Sequence, residues 1–370
     1  MKKLISLLLA LAMVFSLAAC SANNKSNTKE PEKPVVEESK PEESKPEESK
    51  PEETKPTEPE VIYDTNGNAF ELPFEINEAI VINSSIYEMI CVLGKDDIVI
   101  GVGDTVSSPA SALEKDKYGD WREPNVEMIL EAEPDAVFGY ASWLDSGIAA
   151  QLTDAGIPVV MLNLSNPNEI LGEVEFLGKL LGAEERANAF ISDIQGILDL
   201  VAERTADVDP VSVYWEGYTD YKTVGKSAGG HGLMLLANVA SLSAEEDGSS
   251  IEISDEYVLD ANPQMIVKTV SSTKGIMGET VTDPTAAADL YNSIVSRPGW
   301  DGVDAVVNGK VLLLHSRICT TPLGLGICPL VMAKLAYPEK FEDVDPNAYL
   351  EDMLAEYWNE ELVGIWTYVG

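Results

Sequence analysis

The sequence has few cysteines and few basic residues, and each shortage excludes a class of protein. Its 370 residues contain four cysteines, too few for a disulfide-stapled scaffold. The 25 basic residues are outnumbered by 63 acidic ones, which gives a net charge of −38. The first 60 residues hold twelve Glu and nine Lys, so residues 61–370 carry most of this charge. Such a field repels nucleic acid and anionic lipid, and we expect neither as a partner.

Several enzyme motifs are also missing from the sequence. It contains no Gly-x-x-x-x-Gly-Lys-Ser/Thr and no His-Glu-x-x-His. The segment Gly101-Val102-Gly103-Asp104 lacks the third glycine of a dinucleotide-binding fingerprint. The abundant carboxylates show no spacing that singles out a glycosidase pair. We therefore predict a protein that is not an enzyme and that needs no cofactor.

The N-terminus predicts a lipoprotein signal peptide over residues 1–19. Two lysines precede the apolar run 4–17, which is too short for a membrane span. The run ends in Leu17-Ala18-Ala19-Cys20, which resembles the bacterial lipobox. We expect lipid on Cys20 to hold the protein on the outer face of a cell membrane of the Gram-positive type. The alternative is an ordinary secretory signal in which Cys20 has no role.

Residues 20–60 predict a disordered tether. Pro-Glu-Glu-Ser-Lys repeats begin at Pro41, and their proline and charge keep such a segment solvated. In polyproline II geometry the tether would reach on the order of 100 Å from the anchor.

The remaining residues alternate short β-branched runs with helical patterns, which is typical of βαβ units and parallel sheet. We predict strands at 79–82, 97–102, 135–139 and 157–162, and again at 211–215, 264–269 and 310–314. Apolar residues at helical spacing predict one long helix over 184–205 between these two series. The predicted fold class is α/β, with two Rossmann-like lobes joined by a single long helix and a ligand cleft between the lobes. The predicted boundaries are 61–182 for the N-terminal lobe, 183–206 for the connecting helix and 207–370 for the C-terminal lobe.

Over about residues 75–345 the chain resembles the helix-linked (class III) solute-binding proteins of ABC importers. The resemblance rests on the order and spacing of short segments. These are EMICVLG (88–94), WREPNVE (121–127), EPDAV (133–137), AGIPV (155–159), SDEYVL (254–259), NPQ (262–264), RPGW (297–300) and AVVNGKV (305–311).

The resemblance implies a monomeric receptor that captures a metal chelate and delivers it to an ABC permease and its ATPase. An iron complex of siderophore or haem type is the expected cargo, and a corrinoid such as cobalamin is the alternative. A surface lipoprotein enzyme or adhesin that reuses the fold is a further alternative. The resemblance also implies that one glutamate on each lobe, Glu127 and Glu256, docks against arginines of the permease.

Candidate ligand-binding residues follow the predicted strands, because open α/β sheets bind ligands beyond the carboxyl ends of their strands. Several of them are aromatic, although only 7% of the chain is aromatic, and aromatic walls suit a large flat chelate. The resemblance adds Trp121, at a position that faces the ligand in cobalamin-binding relatives. The candidates are Ser84, Ser85, Trp121, Tyr140, Trp143, Trp215, Tyr218, Tyr221, Lys222, Lys274, His315, Arg317 and Thr320.

The histidines and cysteines leave two points open: whether a histidine binds a chelated metal, and whether two cysteines form a disulfide. With only His231 and His315, the chain has too few histidines for a His-rich metal site, so we predict no bound metal of its own. His315 remains a possible direct ligand to a chelated metal. Cys319 and Cys328 are nine residues apart and either form a disulfide or stay free.

Overall fold

The computed structural model describes residues 59–370. The predicted signal peptide, Cys20 and most of the predicted tether lie outside the described residues. A small antiparallel hairpin, β1 (Val61–Tyr63) and β2 (Ala69–Glu71), precedes the larger sheets. Asp64 holds its turn by accepting hydrogen bonds from the backbone N–H groups of Asn66 and Asn68.

The first large sheet has five parallel strands in the order β5-β4-β3-β6-β7. Its strands are β3 (Ala79–Val81), β4 (Val99–Val102), β5 (Asp116–Lys117), β6 (Ala136–Tyr140) and β7 (Val159–Leu162). Both β3 and β7 are buried along their whole length, as expected for strands covered on both faces. The accompanying helices are α1 (Ser84–Val92), α2 (Val126–Ala132), α3 (Trp143–Ser146), α4 (Ile148–Asp154) and α5 (Ile170–Leu180).

A helix of 22 residues, α6 (Glu184–Thr205), connects the two large sheets. Its buried face has the helical spacing seen in the sequence: Ala187, Phe190, Ile194, Ile197, Leu198 and Val201. Glu184 and Glu185 lie in the first turn and Arg204 in the last, which complements the helix dipole.

The second large sheet has seven strands, with a parallel centre and antiparallel edges. Its central strands β8, β12 and β13 are parallel, β10 pairs with β8, and β9, β11 and β14 run antiparallel to their neighbours. The strands are β8 (Val211–Glu216), β9 (Lys222–Val224), β10 (Val239–Ser241), β11 (Ser250–Glu252), β12 (Met265–Val270), β13 (Val311–His315) and β14 (Thr367–Val369). The helices of this half are α7 (Gly229–Leu236), α8 (Asp255–Ala261), α9 (Thr285–Val295), α10 (Asp304–Val307), α11 (Arg317–Thr320), α12 (Gly324–Ala336) and α13 (Pro346–Met353).

The C-terminal segment returns to the connecting helix before it ends in the second sheet. A π-helical turn, Leu354–Trp358, follows α13. The Tyr357 ring packs edge-on against Phe190 of α6 with centroids 5.1 Å apart, and its hydroxyl donates to Asp193 at 2.6 Å. This turn therefore ties the C-terminal segment of the second lobe back to α6.

The predicted fold class is confirmed: two α/β lobes are joined by a single long helix. Strands occur in all seven segments where the alternating pattern predicts them, and α6 lies where the helical spacing predicts it. The sequence interpretation missed the short strands β1, β2, β5, β9, β10, β11 and β14. Within residues 59–370, no helix combines the length and apolar composition that a membrane span requires.

A buried charge cluster joins the two lobes. It consists of Arg317, at the start of α11, and the carboxylates of Glu88, Glu279 and Glu360, and we call it the Arg317 cluster. Arg317 is 5% exposed; its Nη1 donates to Glu279 at 2.9 Å and to Glu360 at 2.8 Å. Glu88 lies on α1 of the first lobe, 3.5 Å from the Arg317 Nε. Burial raises the pKa of Glu88 to about 7, although Arg317 opposes the shift.

We predict that Glu88 makes stability depend on pH. The folded protein keeps the Glu88 proton up to about pH 7, whereas an unfolded chain releases it near the ordinary value of 4.5. This contribution to the free energy of unfolding is therefore present at low pH and is lost as pH rises from about 4.5 to 7. Glu88→Gln should reduce the fall in Tm between pH 5 and pH 7.5, measured by thermal unfolding. Glu131→Gln, on the exposed face of α2, is the control, and equal pH slopes in E88Q and wild type would contradict the prediction.

Candidate ligand-binding site

Each large sheet has a point where its strand order reverses. In the first sheet the chain proceeds from β3 to β4 on one side and continues with β6 on the other side of β3. In the second sheet β10 and β12 flank β8 in the same way. The carboxyl ends of strands at such a point leave a crevice between the loops that follow them, where ligands of open α/β sheets bind.

A cavity of about 310 Å³ lies at the switch point of the second sheet. Four predicted site residues line it: Trp215, Tyr218, Lys222 and Thr320. Ser165, which follows β7, brings the first lobe into its wall. The cavity is at the lower end of the size range of small-molecule sites and opens to solvent.

Tyr218 and Trp215 form the aromatic part of the cavity wall. Tyr218 is 57% exposed, yet its hydroxyl end lies among Ser316, Cys319 and Thr320. Burial of that end raises the pKa of Tyr218 to about 12, so the phenol is neutral and remains a hydrogen-bond donor. Trp215 is almost fully buried, and its indole N–H donates to the Thr269 hydroxyl at 2.8 Å. The Tyr218 ring is therefore the aromatic surface that a ligand in this cavity meets first.

Charge in the cavity is the opposite of charge in the rest of the protein. Lys222 is the only charged residue among the described residues that line the cavity, and no carboxylate is among them. Its side chain is exposed; Glu252 is its register partner on β11, but no carboxylate of the described residues lies within ion-pair distance of it. In a chain with a net charge of −38, a wall without carboxylates favours an anionic or hydroxyl-rich ligand.

The first lobe contributes a second aromatic surface. The rings of Trp121 and Tyr140 lie 4.9 Å apart between centroids, and the Arg122 guanidinium lies 4.0 Å above the Trp121 ring. Tyr140 ends β6 and is half-buried; burial raises its pKa. Tyr140 is the last residue of β6, Trp121 lies four residues after β5, and neither lines the cavity of the second sheet.

The two serines after β3 differ in exposure. Ser84 is partly exposed at the start of α1, whereas Ser85 is buried. The N-cap of α1 is Asn83, whose Oδ1 accepts the N–H groups of Ser85 and Ile86. The buried Ser85 is therefore bonded at the helix start through its N–H, and Ser84 is the serine that a ligand can reach.

Two of the predicted aromatic residues do not face a ligand surface. Trp143 is 1% exposed because it packs flat against Gly139 in the core of the first lobe, and its indole donates to the Trp121 carbonyl at 2.8 Å. Tyr221 points away from the cavity: its hydroxyl donates to Asp255 at 3.2 Å, and its ring packs under Arg297. Both are structural residues.

The residues after β12 and β13 also depart from the prediction. His315 is 1% exposed and lies against Trp366 and Gly278, so it reaches no ligand surface; burial lowers its pKa. Arg317 lies in the buried cluster between the lobes. Lys274 is exposed on the short turn after β12 but does not line the cavity.

Among residues 59–370, neither a disulfide nor a cluster of metal-ligating side chains contributes to this site. Cys91, Cys319 and Cys328 are free thiols, which answers the question of a Cys319–Cys328 disulfide. Burial raises the pKa of Cys319 to about 12, so the thiol stays protonated. Within residues 59–370, no group of three His, Cys, Asp or Glu side chains is arranged to hold a metal ion.

The sequence interpretation missed the glycine-rich segment that closes one side of the cavity. Gly225-Lys226-Ser227-Ala228-Gly229 connects β9 to α7, and Ala228, Gly229 and Gly230 line the cavity. The segment also matches the Gly-x-Ser-x-Gly pattern of serine hydrolases. Ser227 is exposed, and its hydroxyl bonds to no histidine among the described residues, so it is not an activated nucleophile. The glycines, which lie next to an apolar helical pattern, were the feature of the sequence that could have indicated this part of the cavity wall. The other lining residues that we did not predict are Ser165, Gly217, Thr219, Thr223, Val224, Ser250, Thr269 and Cys319.

The two predicted docking glutamates occupy equivalent places in an internal repeat. Residues 125–137 and 254–266 share a capping side chain, a glutamate at the second helical position, a left-handed C-cap, and a proline before the strand. The left-handed caps are Glu133, with a φ of 46°, and Asn262, with a φ of 44°. Glu127 and Glu256 are both exposed. Each lobe therefore presents one carboxylate in the same local geometry.

Comparison with known proteins identifies the family. The family described as periplasmic binding protein matches residues 79–318, more than half of the chain. The chain belongs to the periplasmic binding protein family. It is a substrate-binding protein of an ABC transporter and not an enzyme, and proteins of this kind work outside the cytoplasm with a permease and an ATPase.

Relatives differ in the cargo that their names state. The chain is 25% identical to the ABC transporter substrate-binding lipoprotein YvrC of Bacillus subtilis, over 77% of this chain and 88% of YvrC. It is 24% identical to the molybdate-binding protein MolA of Haemophilus influenzae, over 80% and 90% of the two chains. It is also 24% identical to a cobalamin-binding protein of Halobacterium salinarum, over 74% and 72%. Among solved structures, the TroA-like protein FepB of Veillonella parvula superposes with a TM-score of 0.72 at 22% identity, over 84% of this chain and 99% of FepB.

Proposed function

We propose that this substrate-binding protein captures an anionic metal chelate, an iron complex of siderophore or haem type. The observation that carries the proposal is the cavity wall: an exposed tyrosine, several hydroxyl groups and one unpaired lysine, without a carboxylate among its described residues. Siderophore oxygens and haem propionates carry negative charge that Lys222 can neutralise. Tyr218, and Trp121 with Tyr140 on the first lobe, supply flat apolar surface for the body of such a chelate.

A corrinoid is the second candidate, and the cobalamin-binding relative of Halobacterium salinarum favours it. A large and nearly neutral corrinoid depends on aromatic area more than on one lysine. The two candidates therefore differ in how much of the binding free energy Lys222 contributes.

We predict that an iron chelate quenches the intrinsic fluorescence of the protein and that Lys222→Gln weakens its binding about ten-fold, the change expected for losing one charged hydrogen bond. The measurement is a fluorescence titration with a ferric hydroxamate, a ferric catecholate, haem, cobalamin and molybdate. Lys226→Gln is the matched control, because Lys226 is exposed four residues away and does not line the cavity.

Each outcome of this titration bears on the proposal. Binding of cobalamin alone, with K222Q like wild type, would replace the iron complex by the second candidate. Binding of molybdate alone would contradict a chelate cargo. An absence of response to all five probes would overturn the proposed function.

We also propose that Glu127 and Glu256 dock against basic residues of the permease. Their equivalent positions in the two copies of the repeat support this role, since a permease with two similar halves would meet the same geometry twice. Glu127→Ala with Glu256→Ala should abolish uptake of the bound chelate by cells and leave its affinity for the purified protein unchanged. Glu131→Ala with Asp260→Ala is the matched control, because these exposed acids occupy another pair of equivalent positions. Normal uptake by the first double variant would refute the docking role.

We further propose that lipid on Cys20 retains the protein at the cell surface, on the basis of the Leu17-Ala18-Ala19-Cys20 sequence. Cys20→Ser should therefore release most of the protein from the membrane fraction into the medium, as measured by immunoblotting of both fractions. Cys91→Ser, which alters a cysteine of the folded part, should leave the protein with the membrane. Equal retention of C20S would show that something other than this cysteine holds the protein.

A further inference from the structure

A second buried charge cluster lies beneath the loop that carries the cavity residues. It is built on Glu216, the last residue of β8, which is 1% exposed. The Arg297 guanidinium donates to both carboxylate oxygens of Glu216, at 2.9 and 3.0 Å. Lys268, on the neighbouring strand β12, lies 3.0 Å from the same carboxylate. Glu216, Lys268, Arg297 and Asp220 together form what we call the Glu216 cluster.

Further donors saturate the Glu216 carboxylate. The Tyr214 hydroxyl and the Tyr221 N–H each donate to its Oε1 at 2.8 Å. Burial alone would raise the pKa of Glu216, but Arg297, the Tyr221 N–H and Lys268 outweigh it and lower the pKa. Glu216 is therefore a fixed anion on which two cations are held in place.

The same two cations hold the tip of the loop that follows β8. Lys268 donates to Asp220 at 2.9 Å, and an Arg297 nitrogen lies 3.4 Å from the same oxygen. Asp220 itself is 65% exposed and does not line the cavity. The next residue, Tyr221, has a φ of 57°, an unfavourable conformation for a residue with a large side chain. The Arg297 guanidinium lies 4.7 Å above its ring.

The other side of this loop forms the cavity wall. Residues 217–222 make a tight turn in which the Gly217 N–H donates to the Lys222 carbonyl at 2.7 Å. Gly217, Tyr218, Thr219 and Lys222 all line the cavity. One short turn therefore contacts the Glu216 cluster on one side and presents the cavity residues on the other.

We propose that Arg297 and Asp220 are positioning residues: through the Glu216 cluster they hold the 217–222 loop in the conformation that presents Tyr218 and Lys222 to the ligand. They set ligand affinity without touching the ligand. The proposal gives a role to the RPGW segment, which begins with Arg297. It rests on the proposed function only for the statement that a ligand occupies the cavity.

Asp220→Ala separates positioning from general stability. The Asp220 side chain is exposed, and Glu216 keeps its hydrogen bonds with both cations in this variant, although the cluster then holds two cations and one carboxylate. We expect a small fall in Tm, faster hydrogen exchange of the 217–222 amides in the ligand-free protein, and affinity about ten-fold weaker for whichever iron chelate wild type binds. Asp289→Ala, an exposed acid on α9, is the control and should change none of these quantities.

Arg297→Lys provides a second variant that keeps the charge beside Glu216. Lysine cannot bind Glu216 with two parallel hydrogen bonds and reach Asp220 as well, so we expect the same faster exchange in residues 217–222. The measurements are hydrogen exchange by mass spectrometry and the fluorescence titration with a ferric hydroxamate, a ferric catecholate and haem.

The possible results decide between the two parts of the proposal. Unchanged exchange of the loop in D220A would show that the cluster does not hold it. Faster exchange with unchanged affinity would show that loop position does not matter for the ligand. If wild type binds none of the probes, the proposed function fails, and loop exchange alone then decides whether Asp220 and Arg297 hold the loop.

Discussion

The buried stripe of α6 is the contact on which the arrangement of the two lobes depends. One apolar face, which includes Phe190, Ile194 and Ile197, packs against α5 of the first lobe and α12 of the second. Gly326 of α12 lies so close to Ile194 and Ile197 that a β-carbon there would come within 3.1 to 3.2 Å of their side chains. Because both lobes share one stripe, a large change in the angle between them would expose apolar surface that the helix now buries. The C-terminal π-turn and the Arg317 cluster add further contacts that oppose such a change.

The buried cations of this acidic protein are surrounded by carboxylates, whereas Lys222 at the cavity is not. An isolated charge in the interior is costly, so Arg317 and Arg297 each lie within reach of two or more acidic side chains. Sixty-three acidic residues make such partners easy to supply. Lys222 is exposed and, like the exposed Lys226 and Lys274, has no ion pair among the described residues; it differs from them in lining a cavity whose described wall has no carboxylate. The proposed anionic ligand would therefore meet a cation that no carboxylate of the cavity wall neutralises.

Strand positions could be predicted from the sequence because burial leaves a local pattern, whereas the direction of side chains after the strands could not. Tyr218 and Tyr221 follow the same strand, three residues apart, yet one lines the cavity and the other packs under Arg297. The partners that decide this, Arg297 and Asp255, lie dozens of residues away in the chain. Arg317 likewise turns inward because Glu88, Glu279 and Glu360 converge on it from three distant segments. The cavity-lining glycines 229 and 230 gave only a weak indication in the sequence. A glycine indicates that another segment approaches the backbone closely, but not which segment it is.

The proposed capture and delivery roles would share one edge of each lobe, and the internal repeat explains why. In both copies a short helix leads through a left-handed cap and a proline into the next strand, so the helix runs back along the sheet in the direction opposite to that strand. The helix N-terminus, which carries Glu127 or Glu256, therefore lies toward the carboxyl ends of the strands, where the ligand surfaces also lie. A permease that contacted both glutamates would then cover the mouth of the cleft. Because α6 holds the lobes, a permease would have to release the ligand by moving residues that line the cleft. The 217–222 loop, which the Glu216 cluster holds by charged hydrogen bonds, is one such segment.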